Sequence, residues 1–488
     1  MRIMKPPSVR RVLRTLCVGV IGVKLTSDTL HAHDRLPENE DAASLPAEMR
    51  YAIVRGFARL LLAIFYRRLE IYGLERVPRR GPLVVAANHH NALVDPMLLI
   101  ATMPRRLSPL AKAPLFAHPL IAPFLWLSHA IPVYRRGESA GDVARNEAMF
   151  SAASAGLRAG GAILIFPEGV SQPEPMLLPL RTGIARLTLD ALAATPGLGV
   201  TVLPVGLIYH RPADFRTGRG IVVVGEPVEF GDLVDREAGA TAVHQLTDRV
   251  AAALRALIVE ARDRQTLRVL EVAHDVWQGD TGEAPAPERL AWMREAVRRW
   301  NTLAPDLRDR ADRLRHELER YDKDAAELRG ASHSSSSRGY ALRDGLLMAL
   351  GLPLAILGVV IHGIGYRATA MTVRAARPEP DTSATYQLAA GLVLFPLSWA
   401  LEAAALDWAS GRSAVWLFAA LLIPTGFFAL TWRDRLQRFP REARSWAGLV
   451  TRGRLDERLV ARRQWLRDEL TALARLTSAS DGGAEPAR

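Results

Sequence analysis

The chain has 488 residues and a single cysteine, Cys17, which excludes an internal disulfide framework and a cysteine-rich metal site and fits a reducing, cytosol-facing location. Its length allows two or three domains with a sizeable core. A net charge of +12 suits phosphates in general, whether in nucleic acid, lipid headgroups or phosphorylated small molecules.

Residues 1–48 read as a variable or disordered extension. Arg10, Arg11 and Arg14 precede a short apolar run from Leu16 to Val23, and no clean cleavage site follows. Over residues 53–66, the apolar Ile53, Phe57, Leu60, Leu61 and Ile64 recur at helical spacing among Arg55, Arg59, Arg67 and Arg68. That run is too short to span a bilayer. It predicts a basic amphipathic helix that lies at a membrane interface or packs on the core.

A βα alternation follows. Residues 83–87, 130–134, 162–166, 201–207 and 221–224 read as short buried strands, and residues 142–158 as a helix closed by Gly160 and Gly161. This order argues an α/β layer architecture over residues 49–240, with ligands expected at loops leaving the strands' C-terminal ends. Residues 241–330 are charged with a helical pattern, and 331–339 form a Ser-rich linker. Beyond it, residues 346–366, 388–406 and 414–432 each approach the roughly 20 apolar residues that span a bilayer. Residues 340–435 thus hold two or three membrane helices, and 436–488 a basic helical tail.

Arg433, Arg435, Arg438, Arg441 and Arg444 mark that tail as cytoplasmic. Three full crossings would put it opposite the α/β domain. If both face the cytoplasm, one stretch must be re-entrant or interfacial, and Pro353 makes the first the candidate.

Four short blocks carry chemistry. In Asn88-His89-His90-Asn91-Ala92-Leu93-Val94-Asp95-Pro96, Asp95 predicts a helix N-cap and Pro96 the first helical position. A neutral imidazole in the preceding loop could take a proton from an alcohol. A carboxylate on its other nitrogen would hold the tautomer. The plainer alternative is that Asp95 only caps a helix. In IPVYRR, Arg135 or Arg136 could grip a phosphate with its planar fork. In FPEG, Pro167 sets a turn, Gly169 lets backbone approach a ligand and Glu168 offers a carboxylate. Arg181, just before Gly183, opens another helix whose N–H groups could face an anion.

HHNALVD, IPVYRR, FPEG with SQPEPMLLPLRTG behind it, and VLPVGL, in this order, resemble the motifs of the glycerolipid acyltransferase superfamily over residues 50–230. The helical extension and apolar segments resemble its longer, membrane-bound members. The resemblance implies a mixed sheet flanked by helices, as in glycerol-3-phosphate acyltransferases. It implies a His-Asp pair that deprotonates a glycerol hydroxyl for direct attack on an acyl thioester, with no cofactor or metal. It also implies that Arg135, Glu168 and Gly169 bind the phosphorylated acceptor, that Lys112 assists with phosphate, and that Pro204 shapes the acyl-donor side. The family's usual spacing of four residues between His and Asp fits His90 and Asp95. The Asn88-His89 opening instead resembles longer members with five. The reading leans to His90 and keeps His89. The second block reads PVYR where the family has an FIDR-like sequence.

The resulting expectation is a membrane-bound O-acyltransferase of phospholipid biosynthesis, in a bacterial inner membrane with its catalytic domain facing the cytoplasm. Its donor would be acyl-CoA or acyl carrier protein, and its acceptor glycerol-3-phosphate or the 1-acyl form. Alternatives are dihydroxyacetone phosphate or another lysophospholipid as acceptor, or a silent scaffold of the same fold. A metal-dependent hydrolase using His89, His90 and Asp95, with His129 and His210 near, is a further alternative. No nucleic-acid partner is expected, because the arginines lack interleaved aromatics.

Overall fold

LVVAA at residues 83–87 is apolar at every position, a pattern suited to a strand covered on both faces. It forms β3 (Leu83–Ala87), fully buried inside an eight-stranded mixed sheet. The structure, a computed structural model, describes residues 2–3, 46–134, 142–210, 215–216, 218–234, 239–278, 285–328, 338–451 and 453–481. Two units divide it: Met1–Gln172 with Leu177–Leu257, and Pro173–Met176 with Ile258–Arg488.

The first unit holds the sheet. Its other strands are β1 (Arg2–Ile3), β2 (Arg68–Tyr72), β4 (Ser108–Lys112), β5 (Ile131–Val133), β6 (Ala162–Ile165), β7 (Thr201–His210) and β8 (Arg219–Val224), ordered β1-β2-β8-β7-β3-β6-β4-β5. From β7 to β5 every pairing is parallel, while β8 runs antiparallel to β7. Parallel pairing brings the C-terminal ends of β3, β6, β4 and β5 to one end of the sheet, where the first three blocks emerge. β2 and β4 have no apolar signature. In β2 the buried Glu70 is matched by Arg68 at 2.9 Å and by Arg219, and β4 carries Pro109.

The helices of this unit are α1 (Ala47–Phe65), α2 (Val94–Thr102), α3 (Ala122–Leu127), α4 (Asp142–Arg158), α5 (Gly183–Ala194) and α6 (Ala240–Arg255). In α1 the stripe Tyr51, Val54, Ala58, Leu62 and Phe65 is buried and packs on α2. Arg55 and Arg59 donate to the carbonyls of Ile100 (3.2 Å) and Ala101 (2.8 Å), satisfying groups a helix C-terminus leaves open. The predicted stripe Ile53, Phe57, Leu60, Leu61 and Ile64 is a second one, part-exposed, on the outward side. α6, the first helix of the charged stretch, buries Leu246, Val250 and Leu254 within this same unit.

The second unit contains α7 (Arg264–Gln278), α8 (Ala286–Asn301), α9 (Pro305–Leu328), α10 (Arg338–Ala376), α11 (Ser383–Ser410), α12 (Arg412–Thr451) and α13 (Gly453–Asp481). Val272, Val276, Leu314, Leu318 and Leu466 form a core shared by α7, α9 and α13. Among the described residues, three stretches are long and apolar enough to cross a membrane: Ala349–Ala376, Ser383–Ser410 and Arg412–Asp434. Pro353 lies inside a continuous α10. Of the extension at residues 1–48, only residues 2–3 and 46–48 are described.

Candidate active site

The loop between β3 and α2 folds around one carboxylate. Asp95 is fully buried, and its Oδ2 accepts the backbone N–H groups of His90 and Asn91, each at 2.8 Å. The same oxygen lies 2.7 Å from His89 Nδ1, and Oδ1 accepts the Tyr209 hydroxyl at 2.5 Å. Because peptide N–H groups already donate to Oδ2, the proton shared with His89 belongs to the ring. Nδ1 therefore carries hydrogen and Nε2 carries the lone pair. α2 begins at Val94, so Asp95 sits in its first turn and reaches back to order the loop instead of capping the helix.

The ring paired with Asp95 is His89, and the lean toward His90 gives way. His90 turns its Nδ1 to the Gln172 carbonyl at 3.1 Å, and its backbone N–H donates to Asp95. The His89 ring stacks on Phe166 at 4.1 Å between centroids, and its side chain is 18% exposed. Buried Asn88 bridges the loop to β7, giving and receiving hydrogen bonds with Leu207 at 2.8 and 2.7 Å. This join ties the first block to the fourth.

Glu168 departs from its expected role. It is 3% exposed, and its oxygens accept the N–H groups of His89 (2.7 Å) and Leu178 (2.9 Å). Its carboxyl therefore holds two chain segments together instead of facing a ligand. Burial raises its pKa above the ordinary carboxylate range, against the lowering effect of those N–H groups and of His89. Gly169 has φ +73°, and a Cβ there would meet Arg181 Nε at 2.5 Å, so the turn is built for a glycine with arginine laid across it. Arg181 itself is exposed beside FPEG.

The other predicted residues scatter. Lys112 is exposed at the end of β4, in register with Val133 of β5. Arg135 and Arg136 follow that strand and lie outside the described residues. Pro204 stands one residue short of the C-terminal end of β3 in register. It is buried within β7 opposite Ala86, at a level where its Cγ faces Gly225. His129 lies in the turn after α3 and His210 ends β7, and among the described residues no three His, Cys, Asp or Glu side chains are grouped to hold a metal.

Tyr209 and Tyr66 are the site residues the motifs did not reveal. Tyr66 accepts a hydrogen bond from Asn91 Nδ2 at 2.7 Å, and its ring lies 6.0 Å from that of Tyr209. Burial first, and the Asp95 charge second, push both phenols well above their ordinary pKa, so each remains protonated. A signal for Tyr209 existed. Val205, Leu207 and Tyr209 alternate along one strand face, two residues past the fourth block.

Comparison with known proteins points to an acyltransferase. The sequence model of the Acyltransferase family matches residues 68–208. An uncharacterized acyltransferase of Schizosaccharomyces pombe is 25% identical over 70% of this chain and 66% of its own length. Two Saccharomyces cerevisiae proteins, glycerol-3-phosphate O-acyltransferases 2 and 1, are 33% and 35% identical over 27% and 22% of this chain. The chain spans only 18% and 15% of those two. The crystal structure of the 1-acyl-sn-glycerophosphate acyltransferase PlsC from Thermotoga maritima aligns at 18% identity, covering 43% of this chain and 79% of that one, with a TM-score of 0.33. Residues 68–208 are thus an acyltransferase domain of the glycerolipid acyltransferase superfamily.

Proposed function

We propose that this protein moves a fatty acyl group from a thioester, acyl-CoA or acyl carrier protein, to a hydroxyl of a glycerol phosphate acceptor, with His89 as general base. The observation that carries this is the 2.7 Å pairing of His89 Nδ1 with an Asp95 carboxylate fixed by backbone donors. Nε2 takes the proton from the acceptor hydroxyl as its oxygen attacks the thioester carbonyl. The C–S bond then breaks, and the imidazolium returns the proton to the leaving thiolate, so no acyl-enzyme forms. Asp95 stabilises the imidazolium, while Tyr209 and Glu168 act as positioning residues. Arg181, Lys112 and Arg135 supply positive charge for the acceptor phosphate, and Gly169 keeps the turn beside it open.

The acceptor product is lysophosphatidate from glycerol-3-phosphate, or phosphatidate from its 1-acyl form. Lipid access is supported by the outward stripe of α1 and by the exposed Leu120 (42%) and Trp126 (57%). The arginines that follow the last apolar stretch support a cytoplasmic tail. The named relatives are yeast proteins and lend no support to a bacterial inner membrane.

The test is the full chain in detergent with radiolabelled acyl-CoA or acyl carrier protein. The acceptor panel is glycerol-3-phosphate, dihydroxyacetone phosphate, 1-acylglycerol-3-phosphate and other lysophospholipids. A labelled phospholipid that disappears in His89→Ala is expected. Absence of transfer to every acceptor by a folded protein overturns the reading.

A further inference from the structure

The second unit constrains how its apolar helices meet a membrane. α13 follows all three of them, whereas α7 and α9 precede them. Yet Leu466 of α13 is fully buried among Val272, Val276, Leu314 and Leu318. Arg310 of α9 pairs with Glu469 at 2.5 and 2.9 Å, and Arg462 of α13 pairs with Glu317 at 2.5 Å and Asp324 at 2.8 Å. A charged helical bundle stays on one side of a bilayer. A chain that leaves it after α9 and rejoins it at α13 must cross an even number of times, so three full crossings are excluded.

The contacts also identify the helix that stays behind. α11 and α12 are joined by Gly411 alone, at φ 80° and ψ 174°. Trp408 and Trp416 flank this tip, 92% and 76% exposed, as aromatic residues do at a membrane interface. α10 approaches the tip most closely at its middle. There His362 Nε2 lies 3.2 Å from Thr425 Oγ1, and the Trp399 indole N–H donates to its Nδ1 at 3.2 Å. Those partners sit about 21 and 18 Å from Gly411 at 1.5 Å rise per residue.

On either side of His362, α10 runs away from the tip. A Cβ at Gly351 would lie 2.8 Å from Phe428 and 3.5 Å from Trp432, at the far end of the apolar part of α12. Ala376, its last residue, is joined by a short turn to Ser383, the first residue of α11. Asp381 in that turn is buried, and the turn lies at the opposite end of α11 from Gly411. The arginines agree. Arg367, Arg374, Arg377, Arg433, Arg435, Arg438, Arg441 and Arg444 lie at this end, against Arg412 at the tip.

We propose that α11 and α12 cross the bilayer as a hairpin with Gly411 on the far side, and that α10 does not cross. It lies across the open ends of the hairpin. Its exposed apolar residues, such as Leu350 (70%), Val360 (65%) and Met371 (67%), sit among acyl chains of the leaflet on the side of α7, α9 and α13. The assignment does not depend on which reaction the first unit catalyses.

The test uses the full chain in sealed membrane vesicles of both orientations. After Cys17→Ser removes the native thiol, single cysteines are placed by Glu379→Cys, Ser410→Cys, Ser413→Cys and Val460→Cys, all at exposed positions. A membrane-impermeant maleimide should label Glu379→Cys and Val460→Cys from one side, at least tenfold faster than from the other. Ser410→Cys and Ser413→Cys should label from the opposite side. Labelling of Glu379→Cys from the side opposite to Val460→Cys, or of both tip cysteines from the side of Val460→Cys, overturns the assignment.

Discussion

The two units use their polar side chains in opposite ways. In the first, Asn88, Asn91, Asp95 and Glu168 are almost fully removed from water, and all lie around one loop, bonded to backbone, phenol or imidazole. In the second, pairs such as Arg268–Asp322 and Arg462–Glu317 are spread along helix faces and remain a fifth to a third exposed. Buried polar groups are costly to orphan, whereas exposed pairs are screened and individually weak. Sensitivity to substitution should therefore be concentrated in the first unit and diffuse in the helical bundle of the second.

The largest effect sharpens that contrast within two adjacent residues. His89→Ala should lower kcat/KM by roughly 10²–10⁴, the range for a general base. His90→Ala should stay within a few-fold, because its Nδ1 is turned to the Gln172 carbonyl and not to Asp95. Steady-state acyl transfer, with melting curves to show that both variants fold, decides. A reversed order would make His90 the base and break the assignment.

Tyr209→Phe comes next. It strips a buried donor from Asp95 at no change of shape, and a hydrogen bond to a charged group is worth about 1.5–3 kcal/mol. A purely structural role would lower the melting temperature alone. If Tyr209 positions the pair, the carboxylate left with fewer donors holds the imidazolium more strongly. The acidic limb of the kcat/KM profile then moves to higher pH.

Glu168→Gln should cost about 1–3 kcal/mol, because an amide can accept only one of the two N–H groups that converge there. The pH dependence has a definite sign. Burial raises the folded-state pKa of Glu168, so the folded protein holds that proton more tightly than the unfolded chain. The stability this gives is fully present below the unfolded pKa and is lost as pH rises through the folded value. Denaturant titrations across the carboxylate range should show that decline in the parent and not in the glutamine variant.

Much of the first unit was legible because its signals are local. LVVAA can only be a doubly covered strand, and Gly160 with Gly161 stops α4 where expected. β2 was not, since RLEIY is readable as a strand only when Arg219 arrives from β8 to meet Glu70. The choice between His89 and His90 depended on a carboxylate turning back on its own loop, which spacing does not encode. The outward stripe of α1 was visible, whereas the buried one was disguised by Tyr51 and Ala58. α13 reads as a basic tail because the apolar face completing its core lies on helices far away in sequence.

The smallest effect tests the diffuse side of the contrast. Arg268 meets Asp322 through paired hydrogen bonds of 2.9 and 2.8 Å, joining α7 to α9. Both side chains keep solvent contact, at 34% and 21% exposure, so water already stabilises the separated charges and competes with their attraction. A double-mutant cycle over Arg268→Ala and Asp322→Ala should give a coupling of about 0.5–1 kcal/mol, measured by denaturant unfolding of the full chain in detergent. Raising the salt to about 1 M, where the screening length falls to about 3 Å, should remove most of it. Acyl transfer should stay at the parent level in both single variants. A coupling several-fold larger, unmoved by salt, would mean that this bundle too concentrates its stability in a few desolvated polar groups, and the contrast between the units would fail.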